Sequence, residues 1–243
     1  MDAPARLRTT SWHDFLGSAV SASSIGEFWF CAAKVLNTAT YGSVETEETI
    51  AGSDYHEERA IEAIKKLGPL KKVKVGTLED VIKLSRDNVA RALARRQVLA
   101  NGEETVLFWA VSPELRFVGV PDKVDCTNGK EPIVMDFKTT GRLPSDAWTD
   151  HRVQVGAYMI GVANLGFKQS YGVIRYSLRT RPSETADYKV YFDEYLKSQV
   201  AETAQTVHDI LDGSEPRPTT NPNKCRSCAY NQICKWSLVR KAS

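Results

Sequence analysis

The chain has no long hydrophobic run. Its longest apolar stretches, Phe28 to Ala33 and Val106 to Val111, fall far short of the roughly 20 residues a helix needs to span a bilayer. The first twenty residues contain no uninterrupted apolar segment of the kind a secretory signal requires. No membrane partner and a cytoplasmic location are therefore expected, and in that compartment the five cysteines are not expected to form disulfides. An excess of one charge is missing too: 32 Lys and Arg face 30 Asp and Glu, for a net charge of +2. That balance excludes a protein that coats nucleic acid by bulk charge, so any nucleic-acid surface must come from local clustering. Internal repeats and low-complexity tracts are also absent. What is present is ordinary for a globular chain, 42% apolar and 26% charged, and 243 residues suffice for one core and a small appendage.

The most informative stretch runs from Leu115 to Lys138. Asn128-Gly129 lies between two Val-rich segments of period two, which predicts a β-hairpin. With Gly129 at the centre of the turn, Asp122 and Asp136 are each seven residues away and face each other across the ladder. Lys138 projects from the same face as Asp136. Two like charges at that spacing repel unless a cation lies between them. Hard oxygen ligands suit Mg2+ or Mn2+, with the lysine positioning a water or stabilising developing charge. On these three residues alone, a solvated hairpin with Lys138 simply pairing Asp136 is the commoner arrangement.

Elsewhere, Ser24 to Glu27 predicts a capping box opening a short helix with Phe28, Trp29, Phe30 and Cys31, and 37–50 reads as a loop. Ser53 predicts the cap of a helix over Asp54 to Leu67, with His56 in its first turn. Thr77 to Asp80 caps a helix running to Ala100, with Arg86, Arg91, Arg95 and Arg96 on one side. A strand over Thr105 to Val111 precedes the hairpin. A helix from about Asp146 to Leu165 places Gln154 and Tyr158 on one face. Strands follow over Tyr171 to Ser177 and Tyr188 to Phe192, then a helix over Asp193 to Leu211. Prolines 216, 218 and 222 stiffen a linker. This order describes one mixed α/β domain followed by a small C-terminal module.

That module holds Cys225, Cys228 and Cys234, three thiols within ten residues, which imply a metal. A fourth ligand must come from Cys31 or Cys126. Zinc is one occupant; an iron–sulfur cluster recruiting a distant thiol is the other. Buried free thiols are a third reading, and the one that suits Cys126 best.

Together, His56, Gly119-Val-Pro-Asp122, Asp136-Phe-Lys138, Gln154-x-x-x-Tyr158 and the cysteine triplet resemble the RecB-like branch of the PD-(D/E)XK nucleases. The cysteines make the chain similar to the CRISPR-associated exonucleases of the fourth family, over about residues 22–238. The resemblance implies a restriction-endonuclease-like core, a mixed central sheet flanked by helices, with an iron–sulfur module formed by the two chain ends. The segments would be 1–50 (an N-terminal helical segment supplying one cysteine), 51–213 (the nuclease core) and 214–243 (the cluster module). His56, Asp122, Asp136 and the carbonyl of Phe137 would bind Mn2+ or Mg2+. Lys138 would assist the attacking water, and Gln154 and Tyr158 would contact or position DNA. Cys31, Cys225, Cys228 and Cys234 would hold a cluster, 4Fe-4S rather than 2Fe-2S. The implied activity is cleavage of single-stranded DNA from a 5′ end during spacer acquisition, with the CRISPR integrase complex as a partner. A repair or recombination nuclease of the same fold, or a non-catalytic DNA-end-binding module, are the alternatives. One departure stands out: Cys31 is followed by Ala32-Ala33, where many of these relatives have Pro-Arg.

Overall fold

The elements, in chain order, are α1 (Trp12–Ser18), β1 (Val20–Ser21), α2 (Ala22–Phe30), α3 (Ala32–Tyr41), α4 (Leu78–Arg95), β2 (Val98–Ala100), β3 (Ala110–Ser112), β4 (Phe117–Gly119), β5 (Lys123–Asp125), β6 (Ile133–Thr140), α5 (Thr149–Asn164), β7 (Tyr171–Leu178), β8 (Arg181–Tyr191), α6 (Glu194–Leu211) and α7 (Pro222–Arg226). They belong to a computed structural model that describes residues 10–44, 75–100 and 108–239. The helix expected over Asp54 to Leu67, with Ser53 and His56, lies outside the described residues.

The strands form two sheets. One has the order β2-β5-β6-β7-β8, the other β1-β4-β3. In the larger sheet only β6 and β7 run parallel, so a crossover must connect them, and α5 is that crossover. Its sequence has little polar face to give to water, and Val153, Val155, Ala157, Met159 and Val162 are all buried. Small residues set how closely its neighbours approach. A Cβ at Gly161 would lie 2.6 Å from the Cα of Ala110 on β3, and one at Gly26 of α2 would lie 2.9 Å from the carbonyl oxygen of Asp150. Helix α5 is thus clamped between the smaller sheet and α2.

The hairpin register is the expected one: Lys123 pairs with Met135, Val124 with Val134 and Asp125 with Ile133. Its first arm, however, is not one strand. β4 belongs to the three-stranded sheet and β5 to the five-stranded sheet, and the chain changes sheets at Val120-Pro121-Asp122. Pro121 has no N–H to give a ladder, which suits a break there.

Several boundaries differ from expectation for local reasons. Helix α2 starts earlier, because the hydroxyl of Ser21 rather than Ser24 is the cap, accepting the N–H of Ser24 at 2.9 Å. Cys31 is extended (φ −167°, ψ 121°) between α2 and α3 rather than helical. Helix α3 then takes residues through Tyr41 that read as loop. The capping box of α4 forms as expected, with Thr77 and Asp80 exchanging bonds. That helix stops at Arg95 because Arg96 turns left-handed (φ 53°), and residues 98–100 instead pair with β5. Of the strand expected over Thr105 to Val111, residues 108–111 are described, and the strand found there, β3, begins only at Ala110 and runs to Ser112. β8 begins at Arg181, seven residues before the expected strand.

Candidate active site

Asp122 lies where the chain crosses between sheets. Its Oδ2 accepts the backbone N–H of Phe137 on β6 at 2.6 Å, a charge-assisted bond that fixes the carboxylate against the neighbouring strand. Asp136 is 2% exposed, and Lys138 Nζ lies 2.8 Å from its Oδ2. Burial works against the Lys138 ammonium, but the carboxylates of Asp136 and Asp122 outweigh it and raise its pKa. At neutral pH Lys138 is therefore a proton donor and a positive charge, not a base.

The same ammonium donates to Gln154 Oε1 at 3.0 Å. Lysine has no acceptor, so this bond decides which way the Gln154 amide faces. Its Nε2 then donates to the hydroxyl of Tyr158 at 2.8 Å and to Ser23 Oγ at 3.3 Å. Burial, reinforced by the charges of Asp136 and Asp122, holds the Tyr158 phenol far above its usual pKa. Tyr158 is only 3% exposed, and its ring lies against Gly119, where a Cβ would come within 2.5 Å of the ring. Only glycine at 119 leaves room for that ring. A continuous line of bonds thus runs from Asp136 through Lys138 and Gln154 to Tyr158.

A second group adjoins it. His151 lies three residues before Gln154 on α5, and its Nδ1 is 2.8 Å from the Tyr176 hydroxyl. Tyr176 is the ladder partner of Lys138 and also accepts the Trp148 N–H at 3.1 Å. Burial, with the charges of Lys138 and Lys34 adding to it, pushes the pKa of His151 down to about 2. Because the Tyr176 oxygen already accepts the Trp148 N–H, the neutral ring is assigned the tautomer in which Tyr176 O–H donates to Nδ1 and Nε2 carries the ring proton, 3.8 Å from Asp150 Oδ2.

Of the expected site residues, Asp122, Asp136, Phe137, Lys138, Gln154 and Tyr158 come together, whereas His56 lies outside the described residues. The carboxylates supply hard oxygen donors suited to Mg2+ or Mn2+. Among the described residues, no three His, Cys, Asp or Glu side chains converge as a group able to hold a metal. Sequence reasoning missed Ser23, His151 and Tyr176. His151 was within reach, since it shares a helical face with Gln154 and Tyr158; Tyr176 was not, because its place beside Lys138 depends on the parallel register.

Cys31, Cys225, Cys228 and Cys234 line one pocket, walled in part by Phe30 and Trp236, although no three of them converge as a metal-binding group in this arrangement. Three bonds hold the two chain ends together around it. Thr219 N–H donates to Cys31 Sγ at 3.3 Å, Lys224 Nζ to the Trp29 carbonyl at 2.9 Å and the Tyr230 hydroxyl to the Gly42 carbonyl at 2.6 Å. Burial raises the pKa of the Cys228 thiol, and Cys31 and Cys234 push the same way. Asn37, 5% exposed, lines the pocket with a buried Nδ2 that has no hydrogen-bond partner. Cys126 is elsewhere, fully buried in the main core, where burial, helped by Asp125, pushes its thiol up to about 12.

A model of the PD-(D/E)XK nuclease superfamily matches residues 23–235, and the chain belongs to that superfamily. Membership implies a nuclease, a hydrolase of a class that uses divalent metals such as Mg2+ or Mn2+. Among solved structures, one titled "Crystal structure of SSO0001" is 13% identical over 93% of each chain, with a TM-score of 0.47. No curated protein matches the chain. No described helix is long and apolar enough to cross a membrane.

The buried neutral state of His151 has a pH consequence. Its folded pKa is depressed, so its contribution is intact above its ordinary value of 6.5 and is lost as pH falls below it. The stability gap between wild type and His151→Gln should therefore narrow by about 2 kcal/mol from pH 7 to pH 5. Urea melts at the two pH values measure it, and a gap independent of pH would contradict the buried neutral ring.

Proposed function

We propose that the chain is a divalent-metal-dependent exonuclease that degrades single-stranded DNA from the 5′ end and carries an iron–sulfur cluster in the cysteine pocket. The observation that carries the nuclease reading is the joining of Asp136, Lys138, Gln154 and Tyr158 by hydrogen bonds beside Asp122, within a chain of the PD-(D/E)XK superfamily. Asp122, Asp136, the Phe137 carbonyl and His56 would hold the cation. A Mg2+ or Mn2+ bound there supplies Lewis-acid polarisation of the scissile phosphate and acidifies a water. The chain's own residues do the rest. The N–H of Phe137 fixes the Asp122 carboxylate. Lys138, held protonated, orients the attacking water and offsets negative charge developing on the phosphoryl oxygens. Gln154, itself braced by Tyr158 and Ser23, keeps that ammonium aimed.

The cluster reading is supported by four thiols on one pocket, by the packing of buried Cys234 and half-buried Cys31 and Cys228 with Tyr230 and Trp236, and by the Asn37 amide. A buried N–H without an acceptor is costly, and sulfur acceptors in that pocket would satisfy it. Cys31, Cys225, Cys228 and Cys234 would hold a 4Fe-4S rather than a 2Fe-2S cluster. The 5′ polarity, the role in spacer acquisition and the integrase partner are proposed on the motif resemblance alone.

On a single strand labelled at either end, wild type with Mn2+ should release products from the 5′ end. Asp136→Asn should cut about a hundredfold more slowly or worse. Cleavage that persists in EDTA, or an Asp136→Asn enzyme of wild-type rate, would contradict the site. For the cluster, protein prepared without oxygen should hold iron in wild type and Cys126→Ser and lose it in Cys31→Ser. Zinc in place of iron, or loss of metal in Cys126→Ser alone, would contradict the assignment.

A further inference from the structure

Trp148 is 44% exposed, yet it is held in an aromatic stack. Its ring meets Tyr176 edge-on with centroids 5.4 Å apart and leans on His151 at 5.3 Å. Tyr176 meets Tyr188 at 5.6 Å, and the Tyr188 hydroxyl donates to the Pro144 carbonyl. The indole is therefore braced by side chains that are themselves fixed, and its remaining surface faces solvent. This stack adjoins the active site, because Tyr176 pairs with Lys138 across the β6–β7 ladder and His151 precedes Gln154 by one turn of α5.

Positive charge also lies nearby. Lys34 and Lys224 flank Phe30, with Nζ 5.4 and 5.5 Å from the ring centre. Their charges reach the stack: Lys34 bears on His151 and Lys224 on Asp150. The first turn of α5 is not the anion site, since the Asp150 carboxylate already accepts the backbone N–H groups of Asp150 and His151 there. Lys34 is itself paired with Glu27 at 3.0 Å and Lys224 Nζ donates to the Trp29 carbonyl at 2.9 Å, so the stacking surface rather than a cation is what the site offers the strand here.

An exposed, pre-braced indole beside the active site fits one substrate feature, an unpaired nucleobase of a strand whose backbone reaches the candidate metal site. Stacking of this kind tolerates any base, because every base presents a π-face. A base inside a duplex is already stacked on both sides and must be unstacked first. We propose that Trp148 is a stacking platform for one unpaired base of the substrate, and that this contact gives the site its preference for single strands. The proposal rests on the nuclease reading of the adjacent site.

The test is fluorescence anisotropy with a labelled oligothymidine, with Ca2+ replacing Mn2+. Trp148→Ala should weaken binding about tenfold or more, while Trp148→Phe should keep most of the affinity. Abasic nucleotides stepped along the strand supply the discriminating readout. Wild type should lose affinity at one position, and with the abasic site there Trp148→Ala and wild type should bind alike. Wild-type affinity in Trp148→Ala, or a loss that persists on every abasic strand, would overturn the stacking role. Cleavage by wild type in Mn2+ is run in parallel. If wild type cuts while Trp148→Ala binds normally, the platform fails alone; if wild type neither binds nor cuts DNA, the nuclease reading fails and takes the platform with it.

Discussion

One ammonium group organises the site. Lys138 is mostly buried, and its charge is tolerable only because Asp136 and Asp122 lie beside it and Gln154 Oε1 accepts a hydrogen bond from it. Removing one partner of a buried ion pair costs about 3–5 kcal/mol, because the other charge is left uncompensated. The pair is therefore maintained at both ends, and every other site residue is placed relative to it. Asp122 is tied to the next strand by the Phe137 N–H, and Gln154 is oriented by its need to present oxygen to the lysine. Two carboxylates then share one positive charge, which leaves the group net negative and receptive to a divalent cation.

The fold delivers these groups through two constraints on the backbone. The change of sheet at Pro121 brings Asp122 alongside β6 instead of leaving it in an uninterrupted strand. The close seating of α5 brings Gln154 and Tyr158 onto the face where Lys138 projects. Gly26, Gly119 and Gly161 have no spare room for a side chain. Positions that hold a helix this near to the smaller sheet and to α2 leave the site little freedom, which is what orienting a water demands.

Much of this was legible locally. Asn128-Gly129 with alternating valines determined the hairpin register, so the facing of Asp122 and Asp136 could be inferred by counting outward from Gly129. The four-residue spacing of Gln154 and Tyr158 placed them on one helical face. What could not be read depends on distant partners. Nothing near Phe117 says that β4 pairs with β1 and β3 rather than extending β5, and nothing in Val98 to Ala100 says that it pairs instead of prolonging a helix. The Tyr176–His151 contact joins residues 25 apart through a parallel pairing. The thiol pocket was half legible: spacing announced three cysteines and the motif resemblance added Cys31, whereas the packing that puts all four on one pocket and Cys126 in the main core joins distant parts of the chain.

The central claim is that Lys138 acts in catalysis while the carboxylates bind the cation, two roles within one ion-paired group. Titration of Lys138→Met with Mn2+, followed by electron paramagnetic resonance of the free ion, separates them, with cleavage of a single strand measured on the same sample. Removing the ammonium makes the carboxylates more available, so Mn2+ should bind at least as tightly as to wild type while cleavage falls by about a hundredfold or more. Loss of Mn2+ binding in a folded Lys138→Met protein, or cleavage at the wild-type rate, would contradict the account.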